Sequence, residues 1–505
     1  MINFTPVARR ALMRYVTQMK RASDDVRGVQ LRVLDYLTGR MARTQRGQQL
    51  GIRSGMTYAE FAQAVPAGGY EQIRPYVMRM VRGERDVLWP GVTRRFAQSS
   101  GTSDGKSKYI PVTDDSLKVN HYYGGAAVVG QYLHLNPESR MFAGKGFILG
   151  GSFANEVSDL PAGVRVGDLS AHLIEAVNPL VNLFRIPSKE VALMTDWAEK
   201  VPALVEASLK ADVTNISGVP SWFMTVLRSV MKRAGVDNIH SVWPGLEVFF
   251  HGGVAFGPYR KEYESFTDVD RMHYMENYNA SEGFFAVQTT AVGDGSMEML
   301  LDAGVFYEFE DISKPGELMP AWDVKAGHTY SLHISAPNGL CRYALGDTVT
   351  VVSEVPLTIR IAGRTRHFIN AFGEEVMVHN TDAALAEACA ITGASVLNYT
   401  AAPIYAHDGK RGRHQWLIEW SVPPADVDKF AQVLDSCLQQ QNSDYQAKRA
   451  GGIFLDRLSI TQARPGLFDA WLASTGKLGG QRKVPRLSND RTLMDSMLRF
   501  QYVIK

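Results

Sequence analysis

The run Ser99-Ser100-Gly101-Thr102-Ser103-Asp104-Gly105-Lys106-Ser107-Lys108 crowds hydroxyls, two glycines and two lysines into ten residues, and the extended Tyr109-Ile110-Pro111-Val112 follows it. Glycines let backbone amides approach an anion, and hydroxyl and ammonium groups complete a cradle for phosphate. Taken alone, the run would also serve as a flexible surface loop. Two catalytic geometries come close to it and fail. A P-loop places four residues between its first glycine and Gly-Lys-Ser, whereas Gly101 and Gly105 enclose three. It must also open a helix, which Pro111 opposes. Gly101-Thr102-Ser103-Asp104-Gly105 matches a nucleophile elbow letter for letter, but that turn needs a helix directly after its serine. A loop between two strands, closing over a nucleoside triphosphate, fits both flanks.

Upstream of the loop, Met1 to Arg85 reads as helices, with Thr57 and Glu60 spaced as a capping box. The basic, acid-free start, Met1 to Arg21, is read as an amphipathic helix of the mature protein rather than a transit peptide. Downstream, helix is expected around Asp115 to Leu133 and a short buried strand at Gly146 to Leu149. Helices at Lys189 to Leu209 and Trp222 to Ala234 then alternate with strands at Val213 to Ile216 and Leu246 to Phe250. That alternation predicts an α/β domain with a largely parallel sheet. After Tyr278 helices become scarce. Met297 to Leu301 and Val305 to Phe309 read as a hairpin across Asp302-Ala303-Gly304. Tyr330 to Ser335 and Leu340 to Ala344 read as another across Asn338-Gly339. Strands follow at Thr348 to Val352 and Thr358 to Ile361. A boundary is placed at Ala362-Gly363-Arg364-Thr365. Beyond it lies a small α+β unit with a helix near Asp382 to Ile391, strands at Ser395 to Thr400 and Gln415 to Val422, and a long helix, Ala425 to Lys448.

Two further motifs follow the loop in order. Tyr278-Asn279-Ala280-Ser281-Glu282 comes after an expected strand, Met272 to Met275. An aromatic face can stack on a base while a nearby carboxylate holds a hydrated Mg²⁺, which prefers one or two carboxylates plus phosphate oxygens. In isolation, a core tyrosine and a solvated glutamate explain the segment as well. Arg342-Tyr343-Ala344-Leu345-Gly346-Asp347-Thr348 sets a carboxylate directly after a glycine, read here as lying between two strands. Such a carboxylate can accept hydrogen bonds from both ribose hydroxyls; an ordinary turn aspartate would look the same.

Together the three motifs resemble those of the adenylate-forming superfamily, which includes acyl-CoA synthetases and peptide-synthetase adenylation domains. The Ser-Ser-Gly-Thr-Ser opening, the Tyr-x-x-Ser-Glu and Tyr-x-x-Gly-Asp forms and Lys483-Val484-Pro485-Arg486 resemble one branch, the auxin-responsive acyl-acid amido synthetases and their bacterial relatives. The resemblance spans about Leu50 to Arg491. Asn279, Ala280 and Gly283 depart from the usual plant residues, which bears on the acceptor more than on the chemistry. The resemblance implies a large N-terminal domain, 1–363, of parallel-sheet α/β layers with a β-barrel-like part, and a small mobile α+β domain, 364–505. It implies ATP and Mg²⁺. Ser99, Ser100, Gly101, Thr102, Ser103 and Lys108 would hold phosphates, with Ser100 and Thr102 also catalytic. Gly252-Gly253 would line one face of adenine and Tyr278 the other, with Asn279 and Ser281 beside the nucleotide. Glu282 would contact the metal, Asp347 and Arg364 the ribose, and Lys483 would act in catalysis from the C-terminal domain.

Composition removes other classes. The formal net charge is only +2, which argues against a protein that coats nucleic acid or an anionic membrane. No apolar run reaches the roughly 18 residues of a membrane span. Three scattered cysteines suit neither a disulfide framework nor structural zinc, so a reducing, cytoplasmic setting is expected. The histidines lack metal-ligand spacing. His121, His251 and His333 are read as satisfied core or rim residues, and Cys341 as packing rather than a nucleophile. The expected reaction joins a carboxylic acid to AMP and passes the acyl group to an amine, an amino acid by preference, in a monomer needing no nucleic acid or membrane partner. An acyl-CoA ligase, a nucleotide-binding sensor without turnover and a serine hydrolase are the competing readings.

Overall fold

The computed structural model describes residues 3–99, 108–153, 157, 160–254, 256–364, 368–406, 410–452, 454–474 and 484–503. These form two compact units. The first draws on Met1–Ser99, Lys108–Gly253 and Glu264–Thr365, and the second on Val254–Tyr263 and Arg366–Lys505. No helix among the described residues is long and apolar enough to cross a membrane.

Helices fill the start of the first unit, from Thr5–Asp24 to Tyr70–Val81. The predicted capping box is present: the Glu60 amide donates to Thr57 Oγ1 at 3.3 Å, and the Thr57 amide to Glu60 Oε2 at 2.8 Å. The strands are β1 (Arg95–Ser99), β2 (Lys108–Pro111), β3 (Lys145–Ile148), β4 (Arg165–Gly167), β5 (Arg185–Ile186), β6 (Val213–Gly218) and β7 (Val248–His251). They continue as β8 (His273–Ala280), β9 (Gly283–Val287), β10 (Ser296–Met299), β11 (Phe306–Asp311), β12 (Leu318–Pro320), β13 (Thr329–Ser335), β14 (Tyr343–Glu354) and β15 (Leu357–Arg364). Strands β2-β1-β4 make a small sheet. The other twelve form one mixed sheet in the order β12-β11-β13-β14-β15-β10-β9-β8-β7-β6-β3-β5.

From β5 to β8 every pairing is parallel, and from β8 to β12 every pairing is antiparallel. The parallel half is the predicted α/β part. Its strand β7 is buried at every position, as a strand covered on both faces should be. The crossover helix Pro220–Ala234 begins on proline and stops at Gly235, whose φ of 71° is a left-handed C-cap. Tyr278, Phe285, Tyr307, Tyr343, Leu345 and Val349 share one buried apolar cluster, so the second and third motifs sit on the walls of the same core.

Three expectations need correction. The hairpin across Asp302-Ala303-Gly304 does not form: β10 pairs with β9 and β15, and β11 with β12 and β13. The backbone groups that would have paired are taken by side chains from distant helices. Gln30 Nε2 donates to the Leu301 and Val305 carbonyls at 2.6 and 3.0 Å, Gln30 Oε1 accepts from the Tyr307 amide at 2.8 Å, and Asn120 Nδ2 donates to the Ala303 carbonyl at 2.9 Å. Strand β8 runs through Ala280, so Tyr278 lies within the strand rather than after it. The long helix at 425–448 is two helices, Val427–Gln441 and Ser443–Arg449. Asn442 breaks it with extended backbone and caps the second by accepting from the Tyr445 amide at 2.7 Å.

The second unit carries β16 (Phe368–Ile369) with β17 (Val376–Met377), and a sheet of β18 (Ser395–Ile404), β19 (Arg413–Val422) and β20 (Ser459–Gln462). Leu417, Leu467, Phe468, Met494 and Met497 form part of its core. The segment after Lys483 docks beside β18. The Ala401 amide donates to the Arg486 carbonyl at 2.8 Å, and Thr400 Oγ1 to the Pro485 carbonyl at 2.7 Å.

Candidate active site

Strands β1 and β2 pair antiparallel from Phe96↔Pro111 to Ser99↔Lys108. The glycine-rich run is therefore entered from a strand and left into a strand. Neither a P-loop nor a nucleophile elbow is built that way, since each opens a helix. Ser100, Gly101, Thr102, Ser103 and Lys483 lie outside the described residues; Ser99 ends β1 and Lys108 begins β2. Both strands are braced. His172 Nε2 bonds the Phe96 carbonyl at 2.9 Å, and burial lowers that imidazole to about 4, keeping it neutral. The Tyr109 amide donates to Tyr70 Oη at 2.8 Å.

The second motif turns from β8 into β9. Ala280 pairs with Gly283, which leaves Ser281 and Glu282 at the turn. Asn120 grips the start of β9, accepting from the Phe284 amide at 2.7 Å and donating to its carbonyl at 2.9 Å. On the other side, Asn279 Nδ2 donates to Asn277 Oδ1 at 2.8 Å, and Asn277 Nδ2 to the His251 carbonyl at 2.9 Å. That chain ties the motif to the end of β7, just before Gly252-Gly253. A Cβ at Gly252 would lie 2.5 Å from the Asn277 carbonyl oxygen, so only glycine fits, and Gly253 has φ +83°.

The third motif runs from Arg342, just before β14, into the strand itself. Gly346, at φ +89°, is a kink within one strand rather than a turn between two, and the pairing with β15 shifts register just beyond it. In that register Asp347 stands opposite Arg364 and Thr348 opposite Gly363.

The fold brings the second and third motifs into contact. Tyr278 Oη donates to Asp347 Oδ2 at 2.5 Å, and Tyr343 Oη lies 3.5 Å from Glu282 Oε1. Glu282 and Asp347 are each 7% exposed. The Tyr278 ring is buried edge-on against Phe285, with centroids 5.0 Å apart.

Two further side chains of the third motif, Arg342 and Tyr343, stand at the site. Arg342, at φ +44°, spreads its guanidinium over Glu308, with Nε 3.0 Å from both carboxylate oxygens. Its Nη1 donates to the Ala62 and Val65 carbonyls, each at 2.8 Å. Tyr343 follows directly. Both belong to the third motif, whose spacing marks them, whereas Glu308 carries no local signal.

Among the described residues no group of three or more His, Cys, Asp or Glu could form a metal cage. A single buried carboxylate at Glu282 suits a cation that keeps most of its ligands as phosphate oxygens and water. His333 Nε2 is 3.4 Å from Glu310 Oε2, and burial lowers its pKa. His121 is a core residue, as expected, but not a satisfied one. Neither ring nitrogen has a hydrogen-bond partner among the described residues, and burial lowers it to about 4. Burial pushes the Cys341 thiol up to about 12. Cys341 as a residue is half-buried, and a thiol shifted this way stays almost wholly protonated at pH 8. Iodoacetamide should leave Cys341 unlabelled in the native protein and label it once unfolded. Rapid native labelling would reinstate it as a nucleophile.

The chain matches the GH3 family N-terminal domain over residues 15–272, the GH3 family central domain over 298–364 and the GH3 family C-terminal domain over 379–492. It is 22% identical over 557 residues to indole-3-acetic acid-amido synthetase GH3.8 of Oryza sativa subsp. indica, covering 94% of this chain and 90% of that protein. To indole-3-acetic acid-amido synthetase GH3.3 of Arabidopsis thaliana it is 20% identical over 570 residues, covering 96% and 92%. In three dimensions it resembles the AtGH3.15 acyl acid amido synthetase in complex with 2,4-DB, with a TM-score of 0.62, 17% identity and coverage of 96% and 95%. It also resembles 2-hydroxyisobutyryl-CoA ligase in complex with 2-HIB-AMP and CoA, with a TM-score of 0.56, 13% identity and coverage of 95% and 92%.

Proposed function

The chain belongs to the GH3 family, and on that premise we propose that it is an acyl-acid amido synthetase. It uses ATP to convert a carboxylic acid to an acyl-adenylate with release of pyrophosphate, then passes the acyl group to an amine with release of AMP. The observation that carries this reading is the meeting of the second and third motifs, with Tyr278 on Asp347 and Tyr343 beside Glu282, on a sheet whose small companion sheet ends at the glycine-rich loop. The relatives named as indole-3-acetic acid-amido synthetases support an aryl carboxylic acid as substrate and an amide as product, and the amine is read as an amino acid.

A carboxylate resists attack because its charge repels nucleophiles and oxide is a poor leaving group. Joining it to adenylate supplies a good one. In this reading the loop from Ser99 to Lys108 holds the phosphates, with Ser100 and Thr102 acting in catalysis. Gly252, Gly253, Asn279 and Ser281 frame the base with Tyr278, and Asp347 and Arg364 take the ribose. Glu282 would hold Mg²⁺, whose charge balances the departing pyrophosphate. Lys483 would steady the phosphate in the first half-reaction or the acceptor's carboxylate in the second, as the domain from residue 364 onward turns between them. Three free cysteines fit a cytoplasmic setting.

Adenylation is reversible before the acceptor arrives, so purified protein should exchange labelled pyrophosphate into ATP in the presence of some aryl, indole or aliphatic acid. A chelator should stop it. ATP binding without exchange across such a panel would favour a sensor. Consumption of preformed acyl-adenylate by coenzyme A, with all twenty amino acids inert, would make the protein an acyl-CoA ligase.

A further inference from the structure

The two motifs are braced reciprocally. The tyrosine of the second bonds the aspartate of the third, and the tyrosine of the third faces the glutamate of the second. We propose that Tyr343 is a positioning residue that sets the Glu282 carboxylate for the divalent cation. The proposal rests on the reading of Glu282 as the metal ligand.

The phenol has little freedom. Its side chain is 1% exposed, and Tyr343 pairs with Ile334 across β13 and β14. The preceding residue is fixed at both ends of its peptide unit: the Arg342 amide donates to Ser335 Oγ at 2.9 Å, and its carbonyl accepts from the Gly68 amide at 3.1 Å. The Ala344 amide donates to the Gly68 carbonyl at 2.8 Å, closing a bridge around Tyr343. The Glu282 backbone is held as well, its carbonyl accepting from Asn338 Nδ2 at 3.1 Å. Asn338 is in turn oriented by the Leu340 amide, which donates to its Oδ1 at 3.2 Å. With both backbones anchored, the phenol and the carboxylate are held within reach of each other.

At 3.5 Å the phenol–carboxylate contact is long for an O–H···O bond. A small turn of the Glu282 carboxylate on binding the cation would shorten it. A neutral donor suits this task, since it orients the carboxylate without cancelling the charge the cation needs. Partners of this kind typically change metal affinity by about 10- to 100-fold. The length of the contact places the expectation at the lower end.

The test compares Tyr343→Phe with Glu282→Gln, using Mn²⁺ as the probe. Electron paramagnetic resonance counts Mn²⁺ bound to protein and ATP with no acid present, so no turnover is needed. Tyr343→Phe should weaken Mn²⁺ binding about 5- to 20-fold, less than Glu282→Gln does. Its thermal midpoint should stay close to that of the parent protein. In pyrophosphate exchange it should need more Mg²⁺ for half-saturation, and excess Mg²⁺ should restore most of the rate. Unchanged Mn²⁺ affinity in Tyr343→Phe, with a clear loss in Glu282→Gln, would overturn the proposal alone. No loss in Glu282→Gln would overturn the reading of the metal site beneath it. A Tyr343→Phe protein that loses ATP binding and thermal stability together, without rescue by Mg²⁺, would make Tyr343 a packing residue.

Discussion

Asp347→Asn should weaken ATP binding by about 10- to 100-fold while leaving the Mg²⁺ requirement where it was, the loss expected when charge-assisted hydrogen bonds of 1.5–3 kcal/mol become neutral ones. Asparagine keeps the shape of the aspartate and an oxygen for the Tyr278 hydroxyl, which donates to Oδ2 at 2.5 Å in the parent protein, so the brace between the motifs should survive. What is lost is the negative charge that, in the proposed reading, holds two ribose hydroxyls. Glu282→Gln should behave in the opposite way. ATP should still bind, but half-saturating Mg²⁺ should rise by at least about tenfold, and excess Mg²⁺ should partly restore exchange because mass action refills a weakened site. Calorimetric titration with ATP and the Mg²⁺ dependence of pyrophosphate exchange read the two quantities separately. Equal and modest effects from both variants would mean that at least one carboxylate has another role.

What made the site legible was local. The glycine-rich run declared its strand flanks through Pro111 and the extended Tyr109 to Val112, and β1 and β2 pair accordingly. Asn338-Gly339 correctly forecast the pairing of β13 with β14. Asp302-Ala303-Gly304 looked as persuasive and failed. Its strands are claimed by partners far along the chain, and its turn by Gln30 and Asn120. A turn signal states where the chain can reverse, not which strand it will then meet. The same limit explains the second and third motifs. Tyr278 and Asp347 are 69 residues apart, Tyr343 and Glu282 are 61 apart, and no spacing rule links either pair. Glu308 shows the limit most plainly. A glutamate in a predicted strand suggests a solvent-facing side, yet this one has no exposed surface because Arg342 and Tyr58 meet it there.

That ion pair carries the largest stability effect expected in the first unit. Arg342 reaches Glu308 through Nε at 3.0 Å to both oxygens and through Nη2 at 2.8 Å, and its Nη1 serves two carbonyls near the end of the helix Tyr58–Ala64. Arg342→Met would keep most of the apolar stem but leave a fully buried carboxylate with the neutral Tyr58 hydroxyl in place of its cation, and two carbonyls without their donor. Breaking one side of a buried pair costs about 3–5 kcal/mol, because the remaining charge has no compensation. The thermal midpoint of this unit should fall by roughly 5–10 °C. Glu308→Gln should cost less, since its amide can still accept from the guanidinium and from the Tyr58 hydroxyl, which now donates to Oε1 at 3.0 Å. The double variant Arg342→Met/Glu308→Gln should be more stable than Arg342→Met alone, because the orphaned charge is gone. Arg342 also sits at positive φ, beside the residue that faces Glu282, so the single variant should lose Mn²⁺ affinity along with stability. If the double variant regains stability but not Mn²⁺ affinity, the charge pair and the placing of Tyr343 are separate duties of Arg342. A double variant no more stable than Arg342→Met would instead place the energy in the two carbonyl bonds rather than in the carboxylate.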